Sequence, residues 1–300
     1  METVVYKRVG TCDIKLDVYP VPATKPVPAV VWIHGGALIG GSRTSMQPVL
    51  RNAIEKCGFI QCSIDYRLAP ETKLPEIIAD VRDAFMWIRT EGARRYNIDP
   101  NRFAVLGGSA GGYLTLMTGF CLDARPRCLV SFYGYGDIVG PWYSEPDPFY
   151  CKQPMVTKED AFKAVGTQPI SEGTDKNRFT FYLYCRQNGL WPDQVSGFDP
   201  NREPRAFDRY CPIRNITKDY PPTLLLHGDL DTDVPHQQSV DMSVALAQAG
   251  VDHEFISVPG GGHGFDGKVK PEHLDGPAQT FAARSLLRTV AFLSGHLDRA

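Results

Sequence analysis

Apolar residues recur along this chain in two rhythms that take turns. Short apolar runs, Ala29-Val30-Val31-Trp32-Ile33, Phe59–Ile64, Arg102–Leu106, Cys128–Tyr133 and Thr223–Leu226, are the lengths of strands. The unbroken apolar character of Ala29–Ile33 is that of a strand covered on both faces. Between them, Met46–Cys57, Pro75–Arg89, Tyr113–Phe120 and Val240–Ala249 carry apolar residues at helical spacing; in the second of these they are Ile77, Ile78, Val81, Ala84, Phe85 and Ile88. A last strand, His253–Val258, and a last helix, Gln279–Leu293, close the series. Ahead of it, Val4–Val9 and Ile14–Tyr19 read as a hairpin, with Ile14, Leu16 and Val18 alternating with polar neighbours. Val21–Pro28 holds three prolines and reads as a linker. Strands alternating with helices predict right-handed crossovers and an α/β fold, a mostly parallel central sheet with helices on both faces.

One stretch breaks this rhythm. From about Gly134 to Tyr220 the chain is rich in proline and aromatics, among them Trp142, Tyr143, Phe179, Tyr182 and Trp191. A long interruption inside an α/β domain is usually functional or a small subdomain. We therefore expect residues 1–133 and 221–300 to form the main domain and 134–220 an inserted lid.

The most informative turn is Gly107-Gly108-Ser109-Ala110-Gly111-Gly112, which lies between a strand and a helix. A G-x-S-x-G turn in that setting exposes a serine hydroxyl at the carboxyl edge of a sheet. The reversal is so sharp that side chains two residues either side of Ser109 have no room, which Gly107 and Gly111 provide. The N–H of Ala110 and the helix's positive end then lie beside the hydroxyl. A phosphate cradle is disfavoured because the motif has neither the lysine of a P-loop nor G-x-G-x-x-G spacing.

Two further glycine-rich turns follow strand ends. After the Ala29–Ile33 run comes His34-Gly35-Gly36-Ala37-Leu38-Ile39-Gly40-Gly41, whose Gly35 and Gly36 N–H groups suit an oxyanion hole together with Ala110. His34 is a possible base, but holding the loop by a hydrogen bond is the preferred reading, because Pro259-Gly260-Gly261-Gly262-His263 puts a freer histidine beyond the last strand. His253 lies at the wrong end of that strand, and His273 and His296 fall in or near the last helix. Three acids crowd the turn His227-Gly228-Asp229-Leu230-Asp231-Thr232-Asp233-Val234-Pro235 after another strand, and spacing alone does not separate Asp229, Asp231 and Asp233.

The His34-Gly35-Gly36 loop, the Asp65-Tyr66-Arg67-Leu68-Ala69-Pro70-Glu71 stretch and the Ser109 elbow occur in that order. Together they resemble the α/β-hydrolase fold carboxylesterases related to hormone-sensitive lipase, the acetyl esterase/lipase group. The resemblance implies an α/β-hydrolase fold, Ser109, Asp231 and His263 as a catalytic triad, and an oxyanion hole of Gly35, Gly36 and Ala110 N–H groups. It picks Asp231 from the three acids and leaves Asp229 and Asp233 as turn formers or caps. It departs from the family at Gly108, where Asp is common. In this fold the 134–220 insertion lies above the carboxyl edge, so Leu38, Trp142, Tyr182 and Trp191 are candidate walls of the substrate pocket. The expected chemistry is hydrolysis of small to medium, apolar or aromatic carboxylic esters through an acyl-enzyme, with no metal or organic cofactor. An arylformamidase, a pathway-specific esterase or thioesterase, a prolyl-oligopeptidase-type peptidase and a non-catalytic receptor share such a fold.

Composition narrows the partners. A net charge of -2 without a basic run gives no reason to expect nucleic acid. No apolar stretch is long enough to span a bilayer, and the N-terminus lacks a signal-peptide core, so a cytoplasmic protein is expected. The eight cysteines are scattered without a C-x-x-C pair, which predicts free thiols rather than a zinc site. Oligomeric state is left open.

Overall fold

The computed structural model describes residues 1–275 and 280–298. Eight strands form one sheet: β1 Glu2–Val9, β2 Cys12–Tyr19, β3 Val27–Ile33, β4 Ile60–Ile64, β5 Ile98–Gly108, β6 Cys128–Phe132, β7 Thr223–Gly228 and β8 His253–Val258. The spatial order is β1-β2-β4-β3-β5-β6-β7-β8. The hairpin β1/β2 is antiparallel and joins β4 antiparallel; every later pair is parallel. The main helices are α1 Pro48–Glu55, α2 Leu74–Trp87, α3 Ala110–Cys121, α4 Arg178–Asn188, α5 Trp191–Ser196, α6 Gln237–Gln248 and α7 Phe281–Leu297. Gln279, the expected start of the last helix, lies outside the described residues.

Alternation along β3 explains the layering. Ala29, Val31 and Ile33 point into one core with Ile77 and Val81 of α2 and Tyr113 and Leu116 of α3. Val30 and Trp32 point into the other, with Leu50 and Ile54 of α1 and Leu286 and Phe292 of α7. Both sheet faces are therefore covered, as the unbroken apolar runs require.

Two boundaries differ from expectation for identifiable reasons. The linker ends sooner than Pro28, because Val27 pairs with Ile98 and its N–H donates to Asn97 O at 2.9 Å. The register slips between Val27 and Ala29, which lets Pro28, lacking a donor, sit at the start of a strand. The helix after Pro75 ends at Trp87 but is followed by a wide helical turn, Ile88–Gly92, and by Ala93–Tyr96, so the helical path runs on to Asn97. Asn97 stops it with φ 60°.

The elbow is where strands and helix come closest. A Cβ on Gly111 would lie 2.0 Å from Ile33 O, and one on Gly107 would lie 2.5 Å from Gly111 C and 2.6 Å from Ile33 O. The carboxyl ends of β3 and β5 thus pinch the first turn of α3. Gly111→Ala is expected to lower stability by about 3 kcal/mol or more, through backbone that has no room to give. A urea denaturation midpoint close to that of the wild type would contradict this packing.

Candidate active site

Ser109 follows β5 and precedes α3 with φ 58° and ψ -123°, a strained conformation for a residue with a Cβ. It is fixed on both sides: its N–H donates to Phe132 O at 2.9 Å, and its carbonyl accepts the Tyr113 N–H at 2.9 Å. Ala110, the first residue of α3, has an N–H with no partner inside the helix.

The loop from His34 to Gly41 lies against this elbow. A Cβ on Gly35 would be 2.7 Å from Gly108 O and 3.2 Å from Ser109 Cβ, so only glycine permits the approach. Gly36 adopts φ 104°, and Ala37 and Leu38 follow at 55° and 60°. Among the described residues the Gly35 and Gly36 N–H groups donate to no backbone carbonyl. Three side chains brace the loop. Tyr66 Oη donates to His34 O at 2.9 Å and its ring stacks on the imidazole at 4.2 Å. Trp191 Nε1 donates to Ala37 O at 2.9 Å. Arg178 donates to Ile39 O and Ala69 O while pairing with both oxygens of Glu71. The motif around Tyr66 and Glu71 is therefore a brace for the glycine loop. His34 is fully buried, its Nδ1 lies 2.7 Å from Gly35 O, and burial lowers its pKa to about 4. It is a neutral loop-holder.

The three acids of the β7 turn separate in space. Asp231 is buried: Oδ1 accepts the N–H groups of Asp233 and Val234 at 2.8 and 3.0 Å, and Oδ2 lies 2.7 Å from His263 Nδ1 and 3.2 Å from His227 Nε2. Burial works against its charge, but the hydrogen bonds from His227 and His263 outweigh it and hold the carboxyl well below the usual range. Asp229 accepts the Gly260 N–H at 2.7 Å, tying the β7 turn to the loop after β8. Asp233 is more than that. It lines the cavity, and its Oδ2 lies 3.3 Å from His263 Nε2. Burial opposes protonation of His263, yet the bond to Asp231 and the charges of Asp233, Asp231 and Asp266 raise its pKa above the ordinary value.

Ser109, His263, Gly35 and Gly36 open onto one cavity of about 480 Å³. Of the four expected pocket walls, only Tyr182 lines it, joined by its neighbour Phe179 on α4 and by Trp32 and Ile39. Leu38, Trp142 and Trp191 do not. Leu38 is turned into the core by its left-handed backbone, with its carbonyl accepting the Ala69 N–H. Trp142 and Trp191 sandwich Tyr143, at centroid distances of 3.6 and 4.1 Å, in a stack that joins the core on the α2 and α3 face of the sheet. Aromatic residues that pack one another give the same sequence signal as aromatic residues that face a ligand.

Sequence reasoning missed Tyr133, Asp266 and the role of Asp233. A Cβ on Gly108, where the family commonly has Asp, would lie 3.0 Å from Tyr133 Oη, so the tyrosine occupies that space. Tyr133 Oη donates to Asp266 Oδ1 at 2.7 Å, and its ring meets His263 edge-on at 4.7 Å. The positive φ of Tyr133, 38°, is set by tertiary packing and left no mark in the local pattern.

The α/β hydrolase fold family profile matches residues 30–267, spanning the glycine loop, the elbow and the His263 turn. The chain belongs to that family, in its hormone-sensitive-lipase-like branch. The chain is 29% identical to the non-reducing polyketide synthase Preu6 of Preussia isomera, over 91% of its own length and 14% of the synthase. It is 28% identical to the esterase LipC of Mycobacterium tuberculosis, over 81% of its length and 54% of LipC. It thus spans only a part of the curated relatives that it matches. Solved structures share the fold. A Staphylococcus aureus protein of unknown function superposes with TM-score 0.76 at 22% identity, covering 99% of this chain and 98% of that one. The thermophilic esterase Est2 of Thermogutta terrifontis, solved with propionate bound, gives 0.63 at 21% identity over 98% of this chain and 93% of its own. Among the described residues no helix is long and apolar enough to cross a membrane, no cluster is arranged to hold a metal ion, and all eight cysteines are free.

Neutral His34 has a consequence for stability. An unfolded chain protonates this histidine near 6.5, whereas the fold keeps it neutral down to about 4. The stability tied to the neutral ring is complete above pH 6.5 and is lost as the pH falls toward 4. Between about pH 7 and 5 the loss amounts to roughly 2 kcal/mol. Urea midpoints at the two pH values should differ less in His34→Gln than in the wild type; an equal difference would contradict the assignment.

Proposed function

We propose that this member of the family is a serine carboxylesterase in which Ser109, His263 and Asp231 form the catalytic triad. What supports the reading most is the cavity shared by the Ser109 hydroxyl, the His263 ring and the Gly35–Gly36 loop, with Asp231 locked behind His263 Nδ1. His263 Nε2 takes the proton of Ser109 Oγ as that oxygen attacks the ester carbonyl carbon. Asp231 keeps the proton of the neutral ring on Nδ1 and stabilises the imidazolium. The N–H groups of Gly35, Gly36 and Ala110 receive the oxyanion, each donor contributing about 3 kcal/mol to lowering the barrier. The alkoxide leaves with the proton from His263, and water, deprotonated in turn by His263, releases the acid from Ser109.

The 134–220 segment acts as a cap in this account: it contributes Phe179 and Tyr182 to the cavity and braces the glycine loop through Arg178 and Trp191. Trp32, Ile39, Phe179 and Tyr182 favour apolar or aromatic esters of small to medium size. A second reading is a thioesterase or esterase of a biosynthetic pathway, supported by the match of 91% of the chain to a polyketide synthase.

Ser109→Ala is expected to reduce turnover of p-nitrophenyl butyrate by about 10⁴-fold or more and to abolish labelling by a fluorophosphonate, with an unchanged circular dichroism spectrum. Wild-type turnover in this variant would refute the proposal. Rates on matched aryl oxyesters and N-acetylcysteamine thioesters, alongside N-formylkynurenine, distinguish esterase, thioesterase and formamidase.

A further inference from the structure

Asp233 stands on the wrong side of His263 for a triad acid. Its Oδ2 is 3.3 Å from Nε2, the ring nitrogen opposite the Nδ1 that meets Asp231. Nε2 is the atom that must exchange protons with Ser109 if His263 is the base, and the inference rests on that reading. The carboxylate is tightly held. Oδ1 accepts the hydroxyls of Tyr150 and Tyr182 at 2.7 and 2.5 Å and Nη1 of Arg186 at 2.9 Å. Arg186 is fully buried, lies over the Tyr150 and Tyr143 rings, and is pinned from the far side by Asp147 at 2.5 Å. With three donors on Oδ1, the free oxygen is left directed at His263.

The chemistry of this contact depends on the ring's protonation. Neutral His263 with its proton on Nδ1 presents a lone pair at Nε2, and a lone pair facing a carboxylate oxygen is repulsive. The imidazolium presents an N–H, which makes a charge-assisted hydrogen bond there. We propose that Asp233 is a positioning residue that holds protonated His263 by its Nε2–H, away from Ser109, and so sets the pH at which the hydrolase switches on. Loss of that proton to solvent breaks the Nε2–H···Oδ2 bond and frees the Nε2 lone pair for the Ser109 hydroxyl.

The other groups facing the ring act differently. Asp231 meets Nδ1, which carries a proton both in the Nδ1–H tautomer and in the imidazolium. Asp266 reaches the site by way of Tyr133, whose ring lies edge-on to His263 and carries no charge. Across the cavity, Arg178 is paired with Glu71, and Asp175 accepts bonds from Asn177. Asp233 alone among these acids contacts Nε2.

The experiment compares wild type, Asp233→Asn and Tyr150→Phe, all as the full chain. It reads the acid limb of kcat/KM for p-nitrophenyl butyrate and the His263 ring midpoint by ¹⁵N–¹H NMR. Asp233→Asn should move both midpoints down by about one pH unit or more, raising activity at acid pH relative to the wild type. Tyr150→Phe removes a donor from Oδ1, concentrates charge on Asp233 and should move both midpoints up. A merely structural role would not shift the two variants in opposite directions. Unchanged midpoints in Asp233→Asn, or shifts of the same sign in both variants, would overturn the proposal. Should Asp233→Asn not fold, an unchanged or lowered midpoint in Tyr150→Phe overturns it. The NMR midpoint needs no turnover. Shifted midpoints in a chain that hydrolyses no ester would therefore sink the esterase reading and leave the coupling of Asp233 to His263 intact.

Discussion

The carbonyl of Ile33 sits where a side chain on Gly111 would have to be, and almost where one on Gly107 would. That contact sets the distance between the end of β3, the end of β5 and the first turn of α3. From it follow the left-handed backbone of Ser109, the exposure of its hydroxyl and the approach of Gly35 to within contact of Ser109 Cβ. Two strand ends that stood farther apart would draw the loop amides away from Ser109. Packing of three backbones, with no side chains between them, is thus the constraint on which the site's geometry depends.

A loop with three successive positive φ values does not hold itself in place. The bracing comes from two distant segments. One is the Tyr66–Glu71 stretch after β4, and the other is the 134–220 segment through Arg178 and Trp191. The same segment supplies Tyr150, Tyr182 and Arg186, which hold Asp233 against His263. Its buried aromatic stack and its buried arginine are therefore tied to the Ser109 cavity from two directions, the glycine loop on one side and the imidazole on the other. A buried arginine between two carboxylates is costly to assemble, and its value here lies in fixing where the carboxylates point.

Electrostatically the site is arranged in layers around His263. Asp231 is kept ionised by hydrogen bonds from two histidines and two backbone amides. Asp266 responds differently: burial raises its pKa, and the hydrogen bond from Tyr133 only partly offsets this. Similar carboxyl groups thus have their proton affinities moved in opposite directions by their surroundings, and the imidazole sits among them with a raised affinity for its proton.

Local periodicity sufficed for the strand and helix series, because a sheet covered on both faces demands unbroken apolar runs such as Ala29–Ile33. The Gly-x-Ser-x-Gly elbow was legible for a similar reason: a backbone that tolerates no Cβ at 107 or 111 writes glycine into the chain. Pro28 and the turn beyond Trp87 misled the boundaries, since strand pairing with Ile98 and a widened helical turn overrode local preference. The pocket walls were the least legible. Trp142 and Trp191 pack on Tyr143 while Phe179 and Tyr182 face the cavity, and no spacing rule distinguishes them. The chain by itself determined the layers, the elbow and the glycine loop, which are demands of backbone geometry. Spacing left three neighbouring aspartates open, and the tertiary structure decided which meets Nδ1, which meets Nε2, and which aromatic side chains face the cavity, because those are contacts between segments far apart in sequence.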